Sequence, residues 1–230
     1  MKYSPFIFLI ALAFYSCHKE TLTVSPGGEN KTYFPLDVGK WIIYDVDSVA
    51  HLTDDDSTDH PDTSRAYYHY QLKEVLDSAF IDGEGNHAVR ISRYKRLNDT
   101  LSWDFQSVWV ANLTFNSAQR VEDNVRFVKL FFPIKLNRDW NGNAYNTYPS
   151  EDYSYSDIHV PSTIGSLYFD STITVQQVDD FNFIHQIFKQ EKYANHVGMV
   201  YQQKDSLNIN GLGQVTNGYE FKETVSSYGN

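Results

Sequence analysis

From Tyr33 onward the apolar and polar positions of the chain alternate with a period of two. Tyr68, Tyr70, Leu72 and Leu76 alternate with His69, Gln71, Lys73 and Val75, and Glu74 interrupts the apolar series. Leu167, Phe169, Ile173 and Val175 repeat the pattern against Tyr168, Asp170, Thr172 and Thr174. Val89 and Ile91 do so beside Arg90 and Ser92, and Tyr219 and Phe221 flank Glu220. Successive side chains of a strand point to opposite faces, so each stretch predicts a strand with one wet face. Segments 125–132 and 184–188 are apolar on both faces and predict more central strands.

Turn residues punctuate these runs at Asp82-Gly83-Glu84-Gly85-Asn86, Asn98-Asp99, Asn141-Gly142-Asn143 and between Asn208 and Gly213. Spacings of roughly ten to twenty residues suit long antiparallel strands joined by hairpins. No window past the N-terminus sustains a helical stripe; 179–190 comes nearest and alternates equally well as a strand. The expected fold is all-β: a single antiparallel meander of about ten strands, forming a strongly curved sheet or partly closed up-and-down barrel. Residues 54–62 carry five Asp in nine positions. Clustered carboxylates suit calcium, but the glycine and terminal Glu of an EF-hand loop are missing, so a solvated hairpin loop is the expectation.

The N-terminus follows other rules. Lys2 precedes an apolar run of eleven residues from Pro5 to Tyr15, then Ser16 and Cys17, the single cysteine of the chain. The run is too short to cross a hydrocarbon core of roughly 30 Å as a helix, but it fits the core of a signal peptide. Residues 1–16 are therefore read as a signal helix, cleaved before Cys17, whose thiol accepts a diacylglyceryl group. An ordinary cleaved signal and an uncleaved anchor are the alternatives. Residues 17–32 are read as the acylated cysteine and a flexible tether, with a reach of about 20 Å, and 33–230 as one β domain. With Cys17 acylated, no thiol remains for a disulfide, a thiolate metal site or a nucleophile.

Composition narrows the partners. A formal charge of −10 disfavours nucleic acid and anionic lipid surfaces, which both need a basic footprint. The aromatic share, 16%, dominated by Tyr and Phe, suits pleated, half-buried surfaces.

No nucleophile elbow, zinc helix, P-loop or dinucleotide fingerprint occurs, so no catalytic residue, metal site or cofactor is expected. The eight His are scattered without a ligand-like pair. Arg90 to Arg96 holds four cations in seven residues; on a strand Arg90, Tyr94 and Arg96 share one face while Arg93 and Lys95 take the other. A solubilising, edge-protecting strand is the expected use, with an anion or polysaccharide contact as the alternative. Trp140, Asn141, Asn143 and Tyr145 are the candidate ligand-binding residues, because aromatic faces beside amides suit a sugar. A structured hairpin, with Trp140 and Tyr145 closing the end of a barrel, is the competing reading.

Phe14-Tyr15-Ser16-Cys17 resembles a bacterial lipobox of the looser form found in Bacteroidetes, with Phe14 and Tyr15 where Leu and a small residue are usual. Four co-linear blocks extend the likeness: YFPLDVGKWIIYDVDS (33–48), VKLFFPIKLNRDWNGNAYN (128–146), YANHVGMVYQQ (193–203) and GYEFKETVSSYG (218–229). Together they resemble a family of uncharacterised Bacteroidetes lipoproteins. The resemblance implies a β domain anchored to the outer membrane, facing the periplasm or the cell surface, and supplies no activity. In that family the place of His196 is often glycine, implying a turn residue with positive φ. Pro35 and Gly39 read as turn residues leading into a first strand near Trp41. The expected function is a non-enzymatic binding or accessory module of the envelope, working on a partner protein or a glycan. A carrier with an apolar cavity for a lipid or acyl chain, and an envelope hydrolase, are the alternatives.

Overall fold

The structure is a computed structural model that describes residues 30–53 and 63–230. The signal segment, Cys17, most of the tether and the Asp-rich stretch 54–62 lie outside the described residues. Among the described residues, no helix is long and apolar enough to cross a membrane.

The described residues form one antiparallel meander of twelve strands. In chain order they are β1 (Trp41–Thr53), β2 (Thr63–Ile81), β3 (His87–Arg96), β4 (Asp104–Leu113), β5 (Ser117–Glu122) and β6 (Val125–Phe131), followed by β7 (Asp139–Asn141), β8 (Asp152–Ile164), β9 (Leu167–Phe181), β10 (His185–Ala194), β11 (Gly198–Ile209) and β12 (Val215–Gly229). Each strand pairs with its neighbours in sequence, except β6 with β7, and β12 returns to pair with β1 from Trp41↔Gly229 to His51↔Gly218. The sheet therefore runs from β6 round to β7 and is nearly closed into a barrel.

The remaining gap, between β6 and β7, is a seam held by few bonds. Val128 N–H donates to the Gly142 carbonyl at 2.9 Å, and Trp140 Nε1–H donates to the Val128 carbonyl at 2.9 Å. The Tyr155 hydroxyl accepts from Phe131 N–H and donates to the Phe131 carbonyl, both at 3.0 Å. Asn146 Nδ2 reaches the Arg126 carbonyl at 2.9 Å. These side chains satisfy an edge that would otherwise present unpaired backbone groups.

Residue 30 leads in at one end of the barrel, here the tether end. A 3₁₀ turn, Lys31–Tyr33, and the following Phe34 plug that end. Lys31 Nζ donates to the Thr114 carbonyl at 2.9 Å, and His196 N–H donates to the Thr32 carbonyl at 2.7 Å. The Tyr33 hydroxyl meets His159 Nδ1 at 2.8 Å and Ser171 Oγ at 2.6 Å. Residues 31 and 32, assigned above to the tether, are thus part of the folded domain. Gly39 (φ +100°) and His196 (φ +63°) sit in turns, as their residue types suggest.

Strand alternation gives the interior three layers. Above the plug lies an apolar floor that includes Tyr44, Val89, Ile91, Ala111, Val200 and Val225; each fully buried large apolar side chain contributes roughly 1.5–3 kcal/mol. Two residues higher on several strands, the inward face becomes charged. Glu74 on β2 pairs with Arg120 on β5 and, at 3.0 Å, with Arg93 on β3, which also faces Glu223 on β12 at 3.6 Å. Arg120 continues to Glu122 at 3.7 Å, Glu122 to Lys129 on β6 at 3.2 Å, and Lys129 to Glu191 on β10. Glu191 also accepts from Gln202 Nε2 at 2.6 Å and from the Tyr193 hydroxyl at 2.5 Å. The third layer is the mouth.

The Lys129–Glu191 pair joins strands on opposite sides of the seam, and both residues are buried. Removing one partner strands a charge in the interior, at a cost of about 3–5 kcal/mol. Urea denaturation of Lys129→Met should show a loss of that order, and Lys129→Met combined with Glu191→Leu should recover most of it. A single variant as stable as the wild type would mean that the pair does not hold the barrel closed.

Candidate functional site

A closed sheet of about eight strands can be filled by its own side chains, whereas a wider barrel leaves space inside. Here the space lies above the charged belt, toward the end opposite the plug. One compartment of about 400 Å³ is bounded by Glu122, Phe127, Lys129, Asn143, Tyr148, Glu151, Tyr153, Gln177 and Lys189. A second of about 400 Å³ lies between Tyr70, Leu72, Arg93, Lys95, Gln106, Trp109, Gln202, Phe221 and Glu223. Lys204 and Tyr219 line both compartments. At the tether end, by contrast, the apolar cavity under Phe34 and Met199 is only about 50 Å³.

The belt forms the chamber's lower wall and sets its electrostatics. Burial alone would raise the Glu122 carboxyl, but Lys129, Arg120 and Lys204 bring it down to about 2. Burial likewise opposes ionisation of Glu191, and Lys129 outweighs it, so the carboxyl lies below its ordinary value. Glu223 goes the other way: burial, reinforced by the nearby Glu74 carboxylate, pushes it up to about 7 against the pull of Arg93 and Lys204. Tyr44 and Tyr193 are raised well above the usual phenol range, first by burial and then by Glu74 and Glu191 respectively. The Arg93 and Arg120 guanidinium groups both stack on the Trp109 indole, at 3.5 and 4.5 Å from the ring centroid.

The residues singled out from the sequence have other positions. Trp140 is buried at the seam, against Tyr155 at 4.7 Å and Tyr153 at 6.0 Å between ring centroids. Asn141 Oδ1 accepts from the backbone N–H groups of Asn143 and Glu151, shaping the turn after β7. Asn143 donates to the Pro149 carbonyl at 2.7 Å and lines the first compartment. Tyr145 is exposed. The four therefore do not converge on one ligand; the segment clasps the seam and supplies one residue to the chamber. Its glycine has a packing reason, because a Cβ on Gly142 would stand 2.3 Å from the Tyr153 ring.

Two further expectations change. Strand β3 is not an edge: it lies between β2 and β4, and its inward Arg93 and Lys95 enter the belt and the chamber. Segment 125–132 is not central: β6 borders the seam, where Trp140 and Tyr155 bond to its backbone. Sequence reasoning missed Lys204, Tyr219, Phe221, Glu223, Gln106 and Trp109. The one available signal was Glu74, a carboxylate breaking the apolar register of β2. Three histidines form pairs away from the chamber, His51 with Glu220, His69 with Asp47 and His185 with Asp180. No histidine lines either compartment among the described residues.

The raised Glu223 carboxyl makes stability depend on pH. Between its ordinary 4.5 and about 7, the folded barrel keeps a proton that the unfolded chain releases. This contribution is whole below pH 4.5, shrinks as pH rises and is gone above about 7. Melting temperatures taken from about pH 5 to about pH 8 should therefore fall less for Glu223→Gln than for the wild type; equal slopes would show that Glu223 is not the group responsible. Compared with protein-family models, with curated proteins and with solved structures, the chain matches none of them.

Proposed function

We propose that this protein is a lipid-anchored lipoprotein of the bacterial outer membrane, facing the periplasm or the cell surface, whose barrel is a non-enzymatic module that binds a small molecule in its mouth. The observation that carries the binding reading is the chamber itself. Two compartments of monosaccharide size or larger stand open beside aromatic, amide and cationic side chains. The signal-like run and Cys17 support the anchor, and the family resemblance of the four sequence blocks supports the envelope address. Residue 30 leads into the plugged end of the barrel, opposite the chamber.

An acyl-chain carrier is less well supported. The apolar cavity at the tether end has room for about one or two waters, and a chain entering from the mouth would have to cross the charged belt. A hydrolase reading has one observation in its favour, the raised Glu223 carboxyl beside the second compartment. Its natural partner, Glu74, is engaged by two guanidinium groups and is not free to attack or to activate water.

Metabolic labelling with palmitate should mark the wild type and not Cys17→Ala; label that survives the substitution overturns the anchor. For the binding reading, thermal-shift measurements of the folded domain against neutral and charged metabolites should yield stabilising compounds. Their effect should be lost in Tyr219→Ala, which removes a half-exposed ring common to both compartments. Compounds that stabilise the variant equally bind elsewhere, and the chamber reading then fails.

A further inference from the structure

The cations facing the interior fall into two groups. Arg93, Arg120, Lys129 and Lys189 each lie within 4.0 Å of a carboxylate: Glu74 or Glu223, Glu74 or Glu122, Glu122 or Glu191, and Glu151 respectively. Lys204 and Lys95 have no carboxylate within that distance among the described residues. Lys95 Nζ sits 3.8 Å above the Tyr70 ring centroid, and Lys204 makes neither an ion pair nor a hydrogen bond among those residues. Both line the second compartment, and Lys204 also lines the first.

Lys204 acts on Glu122, Glu191 and Glu223 through space, with none of them in direct contact. The chain as a whole is strongly acidic, and the carboxylates lining the chamber are in direct contact with other cations, Glu122 with Arg120 and Lys129, Glu151 with Lys189 and Glu223 with Arg93. A flexible ammonium on a half-buried strand position would ordinarily lie along the wall toward water or toward a carboxylate. Here Lys204 stands opposite Phe221 in the strand register, beside Tyr219 and Gln202, where a bound anion can meet it directly. The remaining wall describes the rest of such a ligand. Tyr70, Tyr219 and Phe221 offer flat faces, and Gln106 and Gln202 offer amides that suit hydroxyl groups.

Resting on the chamber reading above, we propose that the ligand is a small anion carrying a hydroxylated ring, with its carboxylate or phosphate held by Lys204 and Lys95 and its ring set against Tyr219 and Phe221. The anionic group gives both ammonium groups a direct charged partner, and the ring accounts for the size of the compartment. Lysine binds as a point charge and does not distinguish a carboxylate from a phosphate by fork geometry. Either source of charge satisfies the site.

Calorimetric titration of the folded domain with D-glucuronate, glucose 6-phosphate, D-glucose and inorganic phosphate separates the contributions. At least one of the two anionic sugars should bind, tenfold or more tightly than glucose and than phosphate alone, and more weakly as salt is raised. Comparing glucuronate with glucose 6-phosphate tells which anionic group is preferred. Lys204→Met should weaken the anionic sugar at least tenfold, and Lys95→Met should weaken it several-fold. Circular dichroism melting of each variant guards against loss of the fold; should Lys204→Met not fold, Lys95→Met and the salt dependence carry the test. Glucose binding as tightly as the anions, or an affinity unchanged in the folded lysine variants, overturns the proposal. If neutral compounds bind and lose affinity in Tyr219→Ala, the chamber reading survives and only the charge of the ligand is wrong. If neither anionic sugar binds at millimolar concentration, the anion proposal is overturned.

Discussion

The ion pair between Lys129 and Glu191 is the constraint on which this barrel depends. Its two strands stand on opposite sides of a seam that carries little backbone pairing, β6 being the last strand of one half of the sheet and β10 lying well inside the other. Both side chains are buried, so neither can exchange its partner for water. Once the pair forms, the two halves of the meander are held at a fixed separation. The seam bonds of Trp140 and Tyr155 add to that closure. The Glu122–Arg120–Glu74–Arg93 relay extends the constraint to β2, β3 and β5.

That relay also explains why the sequence reveals the walls of the barrel more readily than its interior. Period-two alternation is a local property, and the strands around Tyr68–Leu76, Val89–Ile91 and Leu167–Val175 show it plainly. The hairpin turns at 82–86 and after Asn208 are equally local. The all-β meander was accordingly legible, while the count of about ten fell short of twelve, two of the strands, β5 and β7, being short. Pairings inside the barrel join residues distant in sequence: Glu74 with Arg120, Lys129 with Glu191, Arg93 with Glu223. No spacing rule connects them. An inward arginine such as Arg93 has the same local context as an outward one such as Arg96, and only closure of the sheet distinguishes them.

The same distinction accounts for the WNGNAYN segment. Its chemistry, an aromatic ring beside two amides and a glycine, suits a sugar site and a structured turn equally well. Burial of Trp140 and the engagement of Asn141 and Asn143 with nearby backbone assign most of it to the turn. The chamber residues have no comparable local text. Lys204, Tyr219 and Phe221 are ordinary strand residues, separated by a hairpin, and become neighbours because β11 and β12 pair in the register Lys204↔Phe221.

A buried charge network is an expensive way to fill a core. Apolar side chains of equal volume often stabilise a protein as well or better, because they carry no desolvation cost. In a barrel of twelve strands, however, an all-apolar interior would have to choose between collapsing and leaving a dry void. The belt avoids both outcomes. Its long side chains reach across the lumen and pair without filling it, and they give the space above a polar wall. The apolar floor beneath them can then pack around Tyr44 and Val200, while the mouth stays open around Lys204 and Lys95. Stability and an empty chamber are thus consequences of a single arrangement, the change from apolar to charged residues at successive inward positions of the same strands.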